Sequence, residues 1–317
     1  MNRKSLSLIL TVLCFSMTGC AGSKASLQKA SFDKGVAALD KGDYKKATDL
    51  FNKALSYSSA HVGKEEISIS KYKSISQLLS GDSSGAYDTV SNLIYYKDND
   101  PSFYYLRGAI STAGGDIDRA EADFKKAVSF NKKDYDLFFA VYDELMKAGK
   151  TDQAEKYLKK IIAIDKNTGE FFNAKGKASY LLSDYDSAED YFSRAVKAGY
   201  YEAYLGLAKV SAKKNDSDAA KKRIDLFVSK TKKTQENYSD AAEFYLSIGQ
   251  YKDCQKAVTE GLKLEGDCTR KLKQSEIICF EYQGNFTEAE KLAREYLKLY
   301  PNDTDIAREE EILKTRI

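Results

Sequence analysis

Tryptophan is absent from the 317 residues, histidine occurs once and proline twice. Without Trp the chain lacks the usual stacking platform for sugars, although 23 Tyr keep some ring surface available. The one histidine, His61, falls in a loop and reads as a solvated side chain, because a metal site needs several ligands at set spacings. Two prolines leave no Pro-rich stalk and suit an all-helical protein. Neither sign of charge dominates: 50 basic against 47 acidic residues give +3, and loss of residues 1–19 would leave +1. That balance carries no electrostatic footprint for nucleic acid. No glycine loop cradles a phosphate, since Gly114, Gly115 and Gly199 stand where helices end. Carboxylates such as Glu121 with Asp123, or Glu309 to Glu311, are plentiful but read as solvent-facing on amphipathic helices. The expectation is a protein that is no enzyme and holds no cofactor or metal.

What is present is a repeat. Residues 101–134 read as two short helices meeting at Gly115-Asp116. Ala120, Phe124 and Ala127 recur at i, i+4 and i+7, along one helical face. Gly115 suits the left-handed residue that ends a helix, and Asp116 suits the cap of the next. The same turn recurs at Gly42, Gly81, Gly115, Gly149, Ser183, Asn215, Gly249 and Gly284, in steps of 39, 34, 34, 34, 32, 34 and 35 residues. Five residues after each turn stands a small residue, Ala47, Ala86, Ala120, Ala154, Ala188, Ala220, Cys254 or Ala289. Four further on comes Phe51, Val90, Phe124, Leu158, Phe192, Ile224, Val258 or Ala293. One hairpin cannot bury its own apolar face, so each needs the next.

This pattern resembles the tetratricopeptide repeat, a helix–turn–helix unit of 34 residues. Gly35, Gly108 and Gly176 match its small first-helix residue; Tyr44, Tyr185, Tyr251 and Phe286 match its aromatic after the turn; Pro301 matches its closing proline. The resemblance implies an all-α fold: a right-handed α-solenoid of about eight repeats over residues 28–301, then a capping helix over residues 302–317. Repeat two, with Ser74 and Ser83, and repeat six, which lacks a turn glycine, depart from the pattern and are expected to be its loosest members. Residues 302–304 offer a cap for the last helix, whose apolar positions are Ile306, Ile312 and Leu313.

Residues 1–19 have secretory-signal anatomy: Arg3 and Lys4, then an apolar run from Leu6 to Phe15, too short for a permanent span. Met17-Thr18-Gly19-Cys20 resembles a bacterial lipobox, which implies a signal peptide ending at residue 19 and an acylated Cys20. A short tether, 20–27, would then hold the first repeat close to the bilayer. The expected location is the extracytoplasmic face of the cell membrane, or the outer membrane of a two-membrane bacterium. Of the remaining cysteines, Cys254 fills a slot that is otherwise alanine and Cys279 reads as core. A disulfide, if formed, is expected to join Cys268 to one of them.

In the family the first helices line a concave groove. That register implies a partner-binding set of Tyr105, Asp136, Phe139, Asp143, Asn173, Lys177, Tyr180 and Lys209, aromatic platforms mixed with both charges. Such a surface suits an extended peptide or a helix. The family's clamp for C-terminal carboxylates is not matched, because Ile75 stands where its Asn belongs after Lys71. The reading is a lipid-anchored scaffold that binds a protein or peptide partner and helps a cell-envelope complex assemble. The alternative is a receptor for a small molecule or glycan fragment, using Tyr105, Phe139 and Tyr180.

Overall fold

The computed structural model describes residues 23–58 and 62–317. His61, the signal-like segment, the lipobox and Cys20 therefore lie outside the described residues. The described chain is all-helical and divides into two compact units, one up to Ile164 and one from Asp165 to Ile317.

The first unit holds four hairpins. They are α1 (Lys24–Asp40) with α2 (Tyr44–Ser56), α3 (Lys64–Leu79) with α4 (Ser83–Tyr96), α5 (Pro101–Ala113) with α6 (Ile117–Ser129), and α7 (Tyr135–Lys147) with α8 (Thr151–Ile162). The second unit holds four more: α9 (Gly169–Leu181) with α10 (Tyr185–Lys197), α11 (Ala203–Lys213) with α12 (Ser217–Lys230), α13 (Gln235–Ser247) with α14 (Tyr251–Leu262), and α15 (Thr269–Tyr282) with α16 (Phe286–Leu299). A single helix, α17 (Thr304–Lys314), follows. Helix α1 begins before the expected start at residue 28, because Ser23 caps it by accepting the Ser26 N–H.

Each hairpin turns where the repeat register places it. The six turn glycines have φ between 71° and 91°, and Ser183 and Asn215 take the same left-handed conformation at 62° and 60°. Asn tolerates that region, so repeat six closes its turn without glycine. Five of the six Asp or Asn residues just after the turn cap the next helix: Asp82, Asp116, Asp184, Asp216 and Asn285. Asp43 makes no such bond. All eight small-slot residues, Cys254 included, are fully buried, and the eight residues four further on are at most 1% exposed.

Close approach within a hairpin has a simple volume rule. A Cβ added to Gly35, Gly108 or Gly176 would stand 2.6, 2.6 or 2.7 Å from the ring of Phe51, Phe124 or Phe192. Glycine thus faces phenylalanine in repeats one, three and five. In repeat eight the sizes are reversed, with Ile277 and Ala293 in one buried cluster. The same cluster includes Ile306 and Leu313 of α17, so the last helix covers the open apolar end of α16. Ile312, expected to point inward, is instead 38% exposed.

Asp303 caps α17 and is itself buried. Tyr296 and Arg270 donate to its Oδ2 at 2.5 and 2.7 Å, and Gln274 donates at 2.9 Å. Burial alone would raise this carboxyl, but the Tyr296 and Arg270 hydrogen bonds win and hold it at about 2.

Two solvent-facing assignments are corrected. Asp123 is 5% exposed and forms a two-point ion pair with Arg107, and Glu310 is 7% exposed beside Lys314. Both sit where a second or last helix meets a basic side chain of a neighbour or of its own next turn. The cysteine pairing is corrected as well. Cys254 on α14 is bonded to Cys279 on α15, both fully buried, and Cys268 is the free thiol. The slot five residues after one turn and the slot five before the next meet across the joint, and only here do both carry cysteine. Tryptic mapping of the unreduced protein is expected to recover peptide 253–256 linked to 274–291, with 264–270 alkylated. All three cysteines alkylated without reductant would refute the link.

Candidate interaction faces

The first helices form one side of each unit, and the two units are taken separately. In the first unit, Pro at N1 and the Asp100 cap start α5, whose residue Tyr105 is half-buried with its ring 5.9 Å from that of Phe124. Burial, then the charges of Glu144 and Asp143, push the Tyr105 hydroxyl well above the usual phenol range. On α7, capped by Asp134, Asp136 and Asp143 are exposed, Phe139 is half-buried and Met146 is 38% exposed. Although the Asp143 side chain reaches solvent, the protein atoms crowded around its carboxyl partly desolvate it and raise it first, with Glu144 adding to this and Lys147 opposing it. The face is acidic and aromatic. Lys71 does not project from it: its ammonium donates to Ser102 Oγ at 2.8 Å and lies 5.0 Å from the Phe103 ring centre. Ile75 is 2% exposed, in the core rather than the groove.

In the second unit, Lys177 on α9 and Lys209 on α11 are exposed, and Tyr180 is half-buried against Tyr185 at 5.6 Å. Asn173 departs from expectation. It is 6% exposed, packed inside α9 among Phe171, Phe172 and Ala174, which are equally buried. Six residues of α9 in succession, 171–176, are buried around the helix, so the position that the repeat register placed at the groove is closed off.

Sequence reasoning missed Asp240 and Lys271. Asp240 lies on α13 four residues after Glu236 and three before Glu243, both exposed, so the same i, i+4, i+7 spacing marks it. It is half-buried, and its carboxyl is raised by burial first, then by Glu236 and Glu243, with Lys209 and Lys271 pulling the other way. Among the described residues no group of three or more His, Cys, Asp or Glu could hold a metal ion, and no helix is long and apolar enough to cross a membrane.

Family models described as tetratricopeptide repeat match residues 28–61 and 101–134, and residues 143–203 and 173–221. No curated protein matches. Among solved structures, the chain is similar to a tetratricopeptide repeat protein from Parabacteroides merdae, at 14% identity and a TM-score of 0.46, over 80% of this chain and 99% of that one. It is also similar to yeast Tom70, at 14% identity and a TM-score of 0.42, over 93% of this chain and 89% of the other. Stretches that match tetratricopeptide-repeat models thus lie in both units, each built of helical hairpins, with a single helix after the last; repeats of that family generally serve protein–protein contact and scaffolding.

Proposed function

We propose that the chain is a membrane-anchored, non-catalytic scaffold that presents its first-helix faces to a protein or peptide partner, in the assembly of a bacterial cell-envelope complex. The lipobox-like Met17-Thr18-Gly19-Cys20 after an apolar signal-like run supports the anchor, since acyl chains on Cys20 would hold the chain by burying methylenes in the bilayer. The Cys254–Cys279 link agrees with residence outside the reducing cytoplasm. The observation that carries the binding reading is the exposure of Asp136, Asp143, Lys177 and Lys209 beside the half-buried rings of Phe139 and Tyr180 on first helices. Aromatic rings bordered by a polar, charged rim are a common arrangement of recognition surfaces.

The test is recovery of one envelope protein from detergent-solubilised membranes with the tagged full chain. Asp136→Lys with Asp143→Lys, and separately Lys177→Glu, are expected to weaken that capture at least tenfold while leaving the helical circular dichroism unchanged. Unaltered capture by both variants would move the partner off these faces. In the same cells Cys20→Ala is expected to shift the protein to the soluble fraction, and continued membrane retention would refute the lipid anchor.

A further inference from the structure

Several charges on the second helices are paired within the chain: Lys125 with Glu121, Lys159 with Glu155, Arg194 with Asp190 and Lys291 with Glu288, each one turn apart. Lys221 reaches both Asp225 and Asp253. On the first helices of the second unit, Lys209, Glu236, Asp240, Glu243 and Lys271 form no ion pair among the described residues. Their fields nonetheless overlap at Asp240, which feels the other four. The order of charge across α11, α13 and α15 is basic, acidic, basic.

We propose that this face takes an extended peptide segment whose charges run acid, base, acid, with the central cation seated on Asp240 and the flanking anions on Lys209 and Lys271. The proposal rests on the reading of the first-helix faces as partner-binding and adds the chemistry of the partner. Asp240 is half-buried and lacks a cation in contact, so it gains more from a partner's guanidinium or ammonium than a fully hydrated carboxylate does. A uniformly basic segment meets Lys209 and Lys271 on either side. A uniformly acidic one meets Glu236, Asp240 and Glu243 in the middle. Each is rejected by like charge at one or more positions, so charge order sets specificity. Neighbouring packed helices lie about 10 Å apart. Extended chain advances about 3.3 Å per residue, so the alternating charges of the partner belong roughly three residues apart. Leu205 and Ile278, half-buried on α11 and α15, supply apolar contact for the residues between.

The test uses two fluorescein-labelled peptides, one with the core Glu-Ala-Ala-Arg-Ala-Ala-Glu and one with the inverted core Arg-Ala-Ala-Glu-Ala-Ala-Arg. Binding to the full chain is read by fluorescence anisotropy at low salt. The first peptide is expected to bind at least tenfold more tightly. Asp240→Asn removes that preference, and Lys209→Glu with Lys271→Glu reverses it. Because the Asp240 charge is unpaired and half-buried beside Glu236 and Glu243, Asp240→Asn is expected to melt no lower than the wild type, which separates lost recognition from lost folding. Equal binding of the two peptides, no binding of either, or a preference that survives Asp240→Asn overturns the proposal. The scaffold reading itself stands or falls on the membrane capture and the Asp136, Asp143 and Lys177 variants, so the two failures are distinguishable.

Discussion

Phe124→Ala is expected to lower the stability of the first unit by about 3–5 kcal/mol, the usual cost of emptying a fully buried aromatic site. Phe124 is 0% exposed, on α6, and its ring fills the space left by Gly108 on α5. The reciprocal change tests the same contact from the other side. A Cβ on Gly108 would stand 2.6 and 2.8 Å from Phe124 Cε1 and Cδ1, and 3.2 Å from the Ala120 carbonyl oxygen. Gly108→Ala therefore overpacks the hairpin and is expected to cost about 1–3 kcal/mol. The pair must couple. In Gly108→Ala with Phe124→Leu the smaller side chain leaves room for the methyl, so the double variant is expected to be more stable than the sum of the separate Gly108→Ala and Phe124→Leu losses by at least 1 kcal/mol. Urea unfolding followed by circular dichroism measures each of these variants. Additive losses would show that the two helices do not meet at this point.

Arg107→Met is expected to cost about 3–5 kcal/mol, by leaving a buried carboxylate without its cation. Arg107 Nε and Nη2 donate to the two oxygens of Asp123 at 2.8 and 2.7 Å, and Nη1 donates to Ser91 Oγ at 3.1 Å. The guanidinium also lies 5.1 Å from the ring centre of Tyr87. One side chain thus ties α4, α5 and α6 together. The Asp123 hydrogen bond, more than charge at a distance, raises Arg107 above its ordinary value. Arg107→Met with Asp123→Leu is expected to recover most of the loss, since an apolar pair of similar volume removes the uncompensated charge. Thermal midpoints of the three proteins at pH 7 measure this. A single variant as stable as the parent at pH 7 would refute a structural role for the pair.

The buried Asp123 shows where reading by helical pattern stops. On the sequence it is one of several acids on an amphipathic second helix, and nothing in its own repeat distinguishes it from Glu121. What distinguishes it is Arg107, 16 residues away on the preceding helix, brought to 2.7 Å by the hairpin. Asn173 is a similar case. Its register position matches that of Phe139 one repeat earlier, yet it is buried because α9 packs more of its circumference than a two-sided helix does. Asp240 is the converse, legible from the spacing of Glu236 and Glu243 but distinguished only by the unpaired charges that gather around it.

The sequence by itself determined the number and place of the hairpins, because turn chemistry, capping and the small-then-large slots act within one repeat of about 34 residues. It also carries the whole case for the anchored N-terminus. Only the tertiary structure decided which side chains meet between helices: the Cys254–Cys279 link, the Arg107–Asp123 pair, the Asp303 cluster under the last helix, and which first-helix charges stay without partners. The reason is that those contacts depend on how one helix is set against the next, and a shift of a few ångströms, invisible in a periodic pattern, separates an ion pair from two solvated charges.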